Sequence, residues 1–192
     1  MIVAGLLLAA GEGRRMGVPK ALLADNDGVP YLDRAIGTLL EGGCSSVTVV
    51  LGAASDSALD ILRIHGWSED ESVSVVVNDS WDVGMSTSLV AGLRALTADA
   101  ALVMLVDLPD VHDDVVARLL GLAGPDALAR ATYGGKPGHP VLIGREHWAG
   151  VIESAAGDSG ARSYLDRHAA QDIPCDDLAT GRDLDSPEDL TP

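Results

Sequence analysis

The sequence predicts a single Rossmann-like α/β domain with a mixed, mainly parallel sheet and helices on both faces. Three observations carry that expectation. Runs of strand length recur at Ile2–Ala10, Val47–Leu51, Val73–Val77 and Ala101–Val106; the first and last are apolar, and the second and third are β-branched, as strands buried on both faces are. Segments with helical spacing separate these runs. With 192 residues, 47% of them hydrophobic, the chain has the size of one domain and can fill a core.

The elements follow in chain order. The first run stops at a glycine-rich loop, which marks a buried strand with a loop at its carboxyl end. Residues 31–42 (YLDRAIGTLLEG) carry helical spacing and end at Gly42-Gly43, where a helix stops readily. A strand at 47–51, a helix at 57–64 and a strand at 73–77 come next, then a helix at 89–96 and the buried strand at 101–106. Asp110, Asp113 and Asp114 fit a helix N-terminus, where acidic side chains oppose the helix dipole. Ala127–Tyr133 and Pro140–Ile143 flank a Gly-Gly-Lys-Pro-Gly turn, an antiparallel excursion. Short helices near 145–154 and 159–168 follow. No repeat, low-complexity tract or linker divides the chain, so residues 1–192 read as one domain.

Charge and composition exclude several classes. Thirteen basic residues against 29 acidic ones give a formal charge of −16, a surface that repels nucleic acid and anionic membranes. Three Trp, three Tyr and no Phe leave little on which bases would stack. Cys44 and Cys175 form no metal or redox spacing and suit a reducing cytoplasm, the expected location. The apolar N-terminus has no basic segment before it, unlike a signal peptide, and nine residues are too few to span a bilayer.

Residues 8–20, LAAGEGRRMGVPK, carry the strongest chemical signal. Gly11, Gly13 and Gly17 allow a tight loop whose bare N–H groups approach an anion, while Arg14, Arg15 and Lys20 supply positive charge. The P-loop is excluded because Gly13 and Gly17 are four apart and Ala21 follows Lys20. The dinucleotide fingerprint is excluded because Met16 stands at its third glycine position. The spacing that remains is G-x-G-x-R-M-G-x-P-K, and its glycines and cations together point to a nucleoside triphosphate site at the end of the first strand. The thirteen basic residues include only two lysines, Lys20 and Lys136, so a compact ammonium is used where a point charge on a phosphate is needed.

Asp107 ends a fully apolar strand in LVMLVDLPD, at the sheet edge where open α/β sheets bind ligands. One strand-end carboxylate plus substrate phosphates suits Mg²⁺. In the C-terminal RDLDSPEDL, Ser186-Pro187 reads as a helix start, and either Asp183 or Asp185 could reach the same cation, with Asp185 favoured. Ser86 and Ser88, in GMSTSL, stand at a helix start that would receive an anionic second substrate. Lys136 and His139 are further candidates for substrate contact.

Taken in order, LAAGEGRRMGVPK, NDSWDVGMSTSL, LVDLPD, YGGKPGHPVLI, GDSGAR and DLDSPEDL resemble the molybdenum cofactor cytidylyltransferases along nearly the whole chain. The opening motif is shared with guanylyltransferases and sugar nucleotidyltransferases of the nucleotide-diphospho-sugar transferase fold; GMSTSL together with GHPV is more selective. The resemblance implies Mg²⁺-dependent transfer of CMP from CTP to molybdopterin-bound molybdenum, with release of pyrophosphate. It implies phosphate contacts from Arg15 and Lys20, Mg²⁺ on Asp107, and a base pocket at Leu8, Ala9, Ala10 and Gly11. Gly13, Arg14, Met16 and Gly17 complete the nucleotide loop. Ala10 tilts the choice of base toward CTP over GTP. A recipient molybdoenzyme would be the macromolecular partner. The alternatives are guanylyl transfer, a different phosphorylated acceptor, and a non-catalytic accessory that binds the cofactor.

Overall fold

A computed structural model of the chain describes residues 1–157, 160–184, 186 and 188. The strands are β1 (Val3–Ala9), β2 (Ser46–Leu51), β3 (Val73–Val77), β4 (Ala100–Leu105), β5 (Leu128–Tyr133), β6 (Lys136–Gly144) and β7 (Gln171–Pro174). The helices among the described residues are α1 (Tyr31–Glu41), α2 (Ser55–Ile64), α3 (Met85–Ala95), α4 (Asp113–Leu120), α5 (Arg145–Ser154) and α6 (Arg162–Arg167). One sheet runs in the order β3-β2-β1-β4-β6-β5-β7. Strands β3, β2, β1 and β4 pair in parallel, β6 is antiparallel to β4 and β5, and β7 is parallel to β5. The mixed, mainly parallel sheet is the one the apolar runs predict, but β3 is not the doubly buried strand expected: it lies on the sheet edge, with Val75 and Val77 exposed.

Because side chains alternate along a strand, β1 feeds two cores. Leu7 and Ala9 face one layer with Leu32, Ile36 and Leu39 of α1, Leu62 of α2 and Val115, Val116 and Leu119 of α4. Leu6 and Leu8 face the other, with Leu89 and Leu93 of α3, Trp148 and Val151 of α5 and Leu165 of α6. Helix α3 lies very close to the sheet, because a Cβ at Gly92 would stand 2.4 Å from Leu6 Cδ1 and 3.0 Å from Val50 Cγ2. The strand order reverses between β1 and β4, which opens a crevice at their carboxyl ends.

The structure corrects several local readings. Helix α3 begins at Met85, not Leu89, so the whole GMSTSL segment is helical apart from Gly84. Strand β6 begins at Lys136, so the turn is Gly134-Gly135 alone and Lys136 through His139 belong to the strand, Lys136 opposite Tyr133. Helix α6 spans 162–167, shorter than the expected 159–168. Strand β7 has no counterpart in the sequence reading: its four residues sit on the sheet edge, largely exposed, and lack an apolar pattern. Among the described residues no helix is long and apolar enough to cross a membrane.

Gly92→Val places branched carbon where Leu6 already stands. It should destabilise the fold by about 1–3 kcal/mol, the range for overpacking a core, read as a lowered denaturant midpoint at unchanged m-value.

Candidate active site

The loop that leaves β1 is held by its own backbone. Gly17 N donates to Gly13 O at 2.8 Å, and Gly13 has φ +67 with its missing Cβ position only 1.9 Å from Val18 O. Any side chain at residue 13 would therefore open the loop. Met16 is buried and packs into the α1/α4 core, anchoring the loop from beneath. Pro19 then leads into a short 3-10 turn, Lys20–Leu22, so Lys20 is directed by a fixed backbone rather than by a flexible tip.

Lys20 Nζ lies 2.5 Å from Asp107 Oδ2, with side chains only 19% and 11% exposed. The parallel pairing of β1 with β4, Leu8 opposite Leu105, is what brings residues 87 apart in sequence together. The second carboxylate oxygen, Asp107 Oδ1, is buried and has no hydrogen-bond partner. An unsatisfied buried oxygen beside a phosphate-type loop fits a divalent cation. Among the described residues no three His, Cys, Asp or Glu side chains cluster as a complete metal cage. That donor set suits Mg²⁺, which keeps several waters and takes substrate phosphates as ligands.

Around this pair lies a cleft of about 430 Å³. Leu8, Ala9, Ala10, Gly11, Gly13, Arg14, Arg15 and Met16 line one side, and Trp81 through Met85 with Ser88 line the other. Gly17 is exposed beside the loop and lies outside this lining. Arg14 is exposed and paired with Glu12 at 3.0 Å. Ser88 is buried; its hydroxyl accepts from Asn78 Nδ2 at 3.0 Å, and the same amide reaches Thr87 Oγ1 at 2.8 Å. Asn78, which follows β3, thereby fixes the start of α3 at the cleft. Ser86 is buried and lines neither this cleft nor the next.

A second cleft of about 490 Å³ adjoins the first and shares Leu8, Arg15, Met85 and Leu105 with it. Its floor is apolar, from Leu89, Val103, Val141 and Ile143, and its rim carries Arg15, Arg130, Arg162, His139 and Asp183. Arg130 is committed to ion pairs with Asp166 at 2.7 Å and Asp172 at 2.6 Å. Burial pushes the His139 imidazole down to about 4, against the opposing pull of Asp107 and with help from Arg162. His139 is thus neutral near pH 7, a hydrogen-bonding group and not a third cation. Lys136 is exposed and lies outside the lining of both clefts. Asp183 belongs to the second cleft, while Asp185 lies outside the described residues.

Sequence reasoning did not single out Trp81, Asp82, Val83, Arg130 or Arg162. Trp81–Val83 stand in NDSWDVGMSTSL, one of the resembling segments, where a large aromatic just before a helix start is the signal that points to them. Arg130 gives none, because it sits in an unremarkable strand; Arg162 ends GDSGAR, one of the resembling segments, and only the fold turns either side chain toward the cleft.

The MobA-like NTP transferase domain family matches residues 5–172. The chain is 36% identical to nicotine blue oxidoreductase of Paenarthrobacter nicotinovorans, over 98% of this chain and 94% of that protein. It is 32% identical to the molybdenum cofactor guanylyltransferase of Cereibacter sphaeroides, over 97% and 92%. To the molybdenum cofactor cytidylyltransferase of Escherichia coli K12 it is 25% identical, over 73% and 69%. The Rv0371c protein of Mycobacterium tuberculosis H37Rv, solved in complex with manganese, shares the fold at a TM-score of 0.80 and 23% identity, over 98% and 96%.

The lowered pKa of His139 has a signed consequence. Between its ordinary value of 6.5 and about 4 the unfolded chain binds a proton that the folded one does not. Stability from this group is full above pH 6.5 and falls as pH drops through that window. An NMR titration should place the His139 midpoint near 4, and His139→Gln should flatten the pH dependence of unfolding over that range.

Proposed function

The chain belongs to the MobA-like NTP transferase domain family, and from that premise we propose that it transfers CMP from CTP to the phosphate of molybdenum-loaded molybdopterin. It is a nucleotidyltransferase, and pyrophosphate is the second product. The observation that carries the reading is the contact between Lys20 and Asp107 at 2.5 Å on the floor of the glycine loop's cleft. It sets a phosphate-binding ammonium against a carboxylate that keeps one oxygen in reserve.

The chemistry asks little of the protein in covalent terms. A phosphate monoester has a second pKa of about 6, so the acceptor is already ionised near neutrality and no strong general base is required. The chain must bring two anions into line and offset the charge that gathers on the α-phosphate and the departing pyrophosphate. The loop amides and Lys20 hold the triphosphate. Arg15, which lines both clefts, faces the donor and the acceptor together. Asp107 would hold Mg²⁺ through Oδ1, and the bound cation supplies charge neutralisation for the triphosphate. The second cleft, apolar below and cationic at the rim, suits a planar ring system that ends in a phosphate. The product would pass to a recipient molybdoenzyme.

Support for a pyrimidine base comes from Ala10, buried on the cleft wall beside Leu8 and Ala9, at the position where the opening motif of the resembling guanylyltransferases tends to carry glycine. The 32% identical relative is named as a guanylyltransferase, which makes GTP the competing nucleotide. A second reading has one observation behind it. The 36% identical relative bears an oxidoreductase name, and on that reading the clefts would hold a redox pair and release no pyrophosphate.

Pyrophosphate release should be measured with Mg²⁺ and each of the four NTPs, with and without molybdenum-loaded molybdopterin. Release with CTP plus the cofactor is the expected result. Release with GTP alone would reassign the base, and no release with any nucleotide would favour the oxidoreductase reading. Lys20→Ala should lower kcat by about 10²–10³, as loss of a preorganised charge does; turnover like the wild type would remove Lys20 from the chemistry. Ala10→Gly should raise the GTP to CTP ratio of kcat/KM by roughly tenfold, the worth of about one carbon in a fitted pocket.

A further inference from the structure

Beyond β7 the chain does not stay at the sheet edge. Cys175 N donates to Thr132 O at 2.9 Å beside β5, and by Leu184 the backbone has crossed back to β4, where Leu184 N donates to Asp107 O at 3.0 Å. The crossing passes the ends of β5 and β6, because the sheet order is β4-β6-β5-β7. One carboxylate fastens it midway. Asp110 Oδ2 accepts from Thr180 N at 2.6 Å and from Thr180 Oγ1 at 2.5 Å. Asp110 Oδ1 is buried with no hydrogen-bond partner. A half-buried carboxylate that leaves one buried oxygen unsatisfied is a costly way to secure a strand of chain, so geometry is a better reason for it than stability.

We propose that Asp110 is a positioning residue, which through Thr180 sets Gly181 and Asp183 as the acceptor wall of the second cleft in register with Asp107. This rests on the reading that the second cleft takes the acceptor. Asp107 and Asp110 share one turn, so the cation-holding carboxylate and the anchor of the acceptor wall cannot move independently. The register is tight. Gly181 has φ +64, and a Cβ there would lie 2.1 Å from Tyr133 Cδ2. A Cβ on Gly138 would lie 2.9 Å from the same ring atom, and Tyr133 Oη donates to His139 O at 2.8 Å. Both rims of the second cleft, His139 on β6 and Gly181–Asp183 on the returning segment, are therefore gauged against one tyrosine ring. Release of Thr180 from Asp110 lets one rim drift from the other and from Asp107.

The test is a split in Michaelis constants with molybdenum-loaded molybdopterin and the active NTP. Asp110→Ala should raise the KM for molybdopterin about tenfold or more, since sub-ångström misplacement of a binding wall has effects of that size. The KM for the NTP should stay near its wild-type value. Asp110→Asn, whose amide oxygen still accepts from Thr180, should restore the acceptor KM. Hydrogen exchange should show the amides of Thr180 and Leu184 losing protection in Asp110→Ala while those of β1 and β4 keep theirs. If Asp110→Ala does not fold, Thr180→Val serves instead, with the same split at about three- to tenfold for one lost hydrogen bond. A parallel rise in both KM values would make Asp110 a structural tie and overturn the proposal. So would faster exchange at Thr180 with an unchanged acceptor KM. A wild-type protein that neither binds nor uses molybdopterin would overturn the acceptor reading first, and the role of Asp110 with it.

Discussion

Parallel pairing of β1 with β4 is the constraint on which the rest of the molecule depends. It runs from Val3 opposite Ala100 to Leu8 opposite Leu105, so the loop after β1 and the turn after β4 emerge side by side. Because β2 and β3 lie on one side of this pair and β6, β5 and β7 on the other, no strand crosses above the junction. The crevice that results is where backbone amides, Lys20 and Asp107 converge. Both cores serve to hold it: Leu7 and Leu102 are packed from one face, Leu6 and Val103 from the other.

The acidic surface and the cations that line the clefts are reconciled by how the arginines are deployed. Arg34, Arg118 and Arg130 are tied to Asp25, Asp177 and the Asp166/Asp172 pair, and so fix loops and strand edges in place. Arg15 stands where the two clefts meet. The net charge of −16 is spread over the exterior, where screening limits its reach to about 8 Å at physiological salt. A phosphate bound in the cleft would meet the local cations and loop amides far more strongly than that distant charge.

Tyr133 has a corresponding part on the antiparallel side of the sheet. Its ring lies between Gly138 and Gly181, and burial raises its phenol well above the ordinary value, so the hydroxyl remains a donor to His139 O. The glycines at 138 and 181 are thus explained by close approach to one aromatic ring. Their effect reaches the second cleft, whose rim both segments form.

Much of this was legible in the chain. The sheet class, the buried strands β1, β2 and β4, the glycine-rich loop and the terminal Asp of β4 all follow from local rules: runs of strand length, glycines beside cations, a carboxylate at the end of an apolar run; the burial of β3 does not, because its run of valines lies on the sheet edge. The start of α3 and the true length of β6 were not, since hydroxyl-rich GMSTSL and glycine-rich GKPGH have weak local preferences that packing overrides. Strand β7 was invisible for the same reason, being a short exposed edge held by its pairing with β5. The sequence by itself determined which groups are candidates for phosphate chemistry and where along the chain each stands. Only the tertiary structure decided that Lys20 meets Asp107, that Arg130 and Arg162 reach the second cleft while Lys136 does not, and that His139 is neutral. Each of those depends on strand order, register and burial, which set distance and dielectric between residues far apart in sequence.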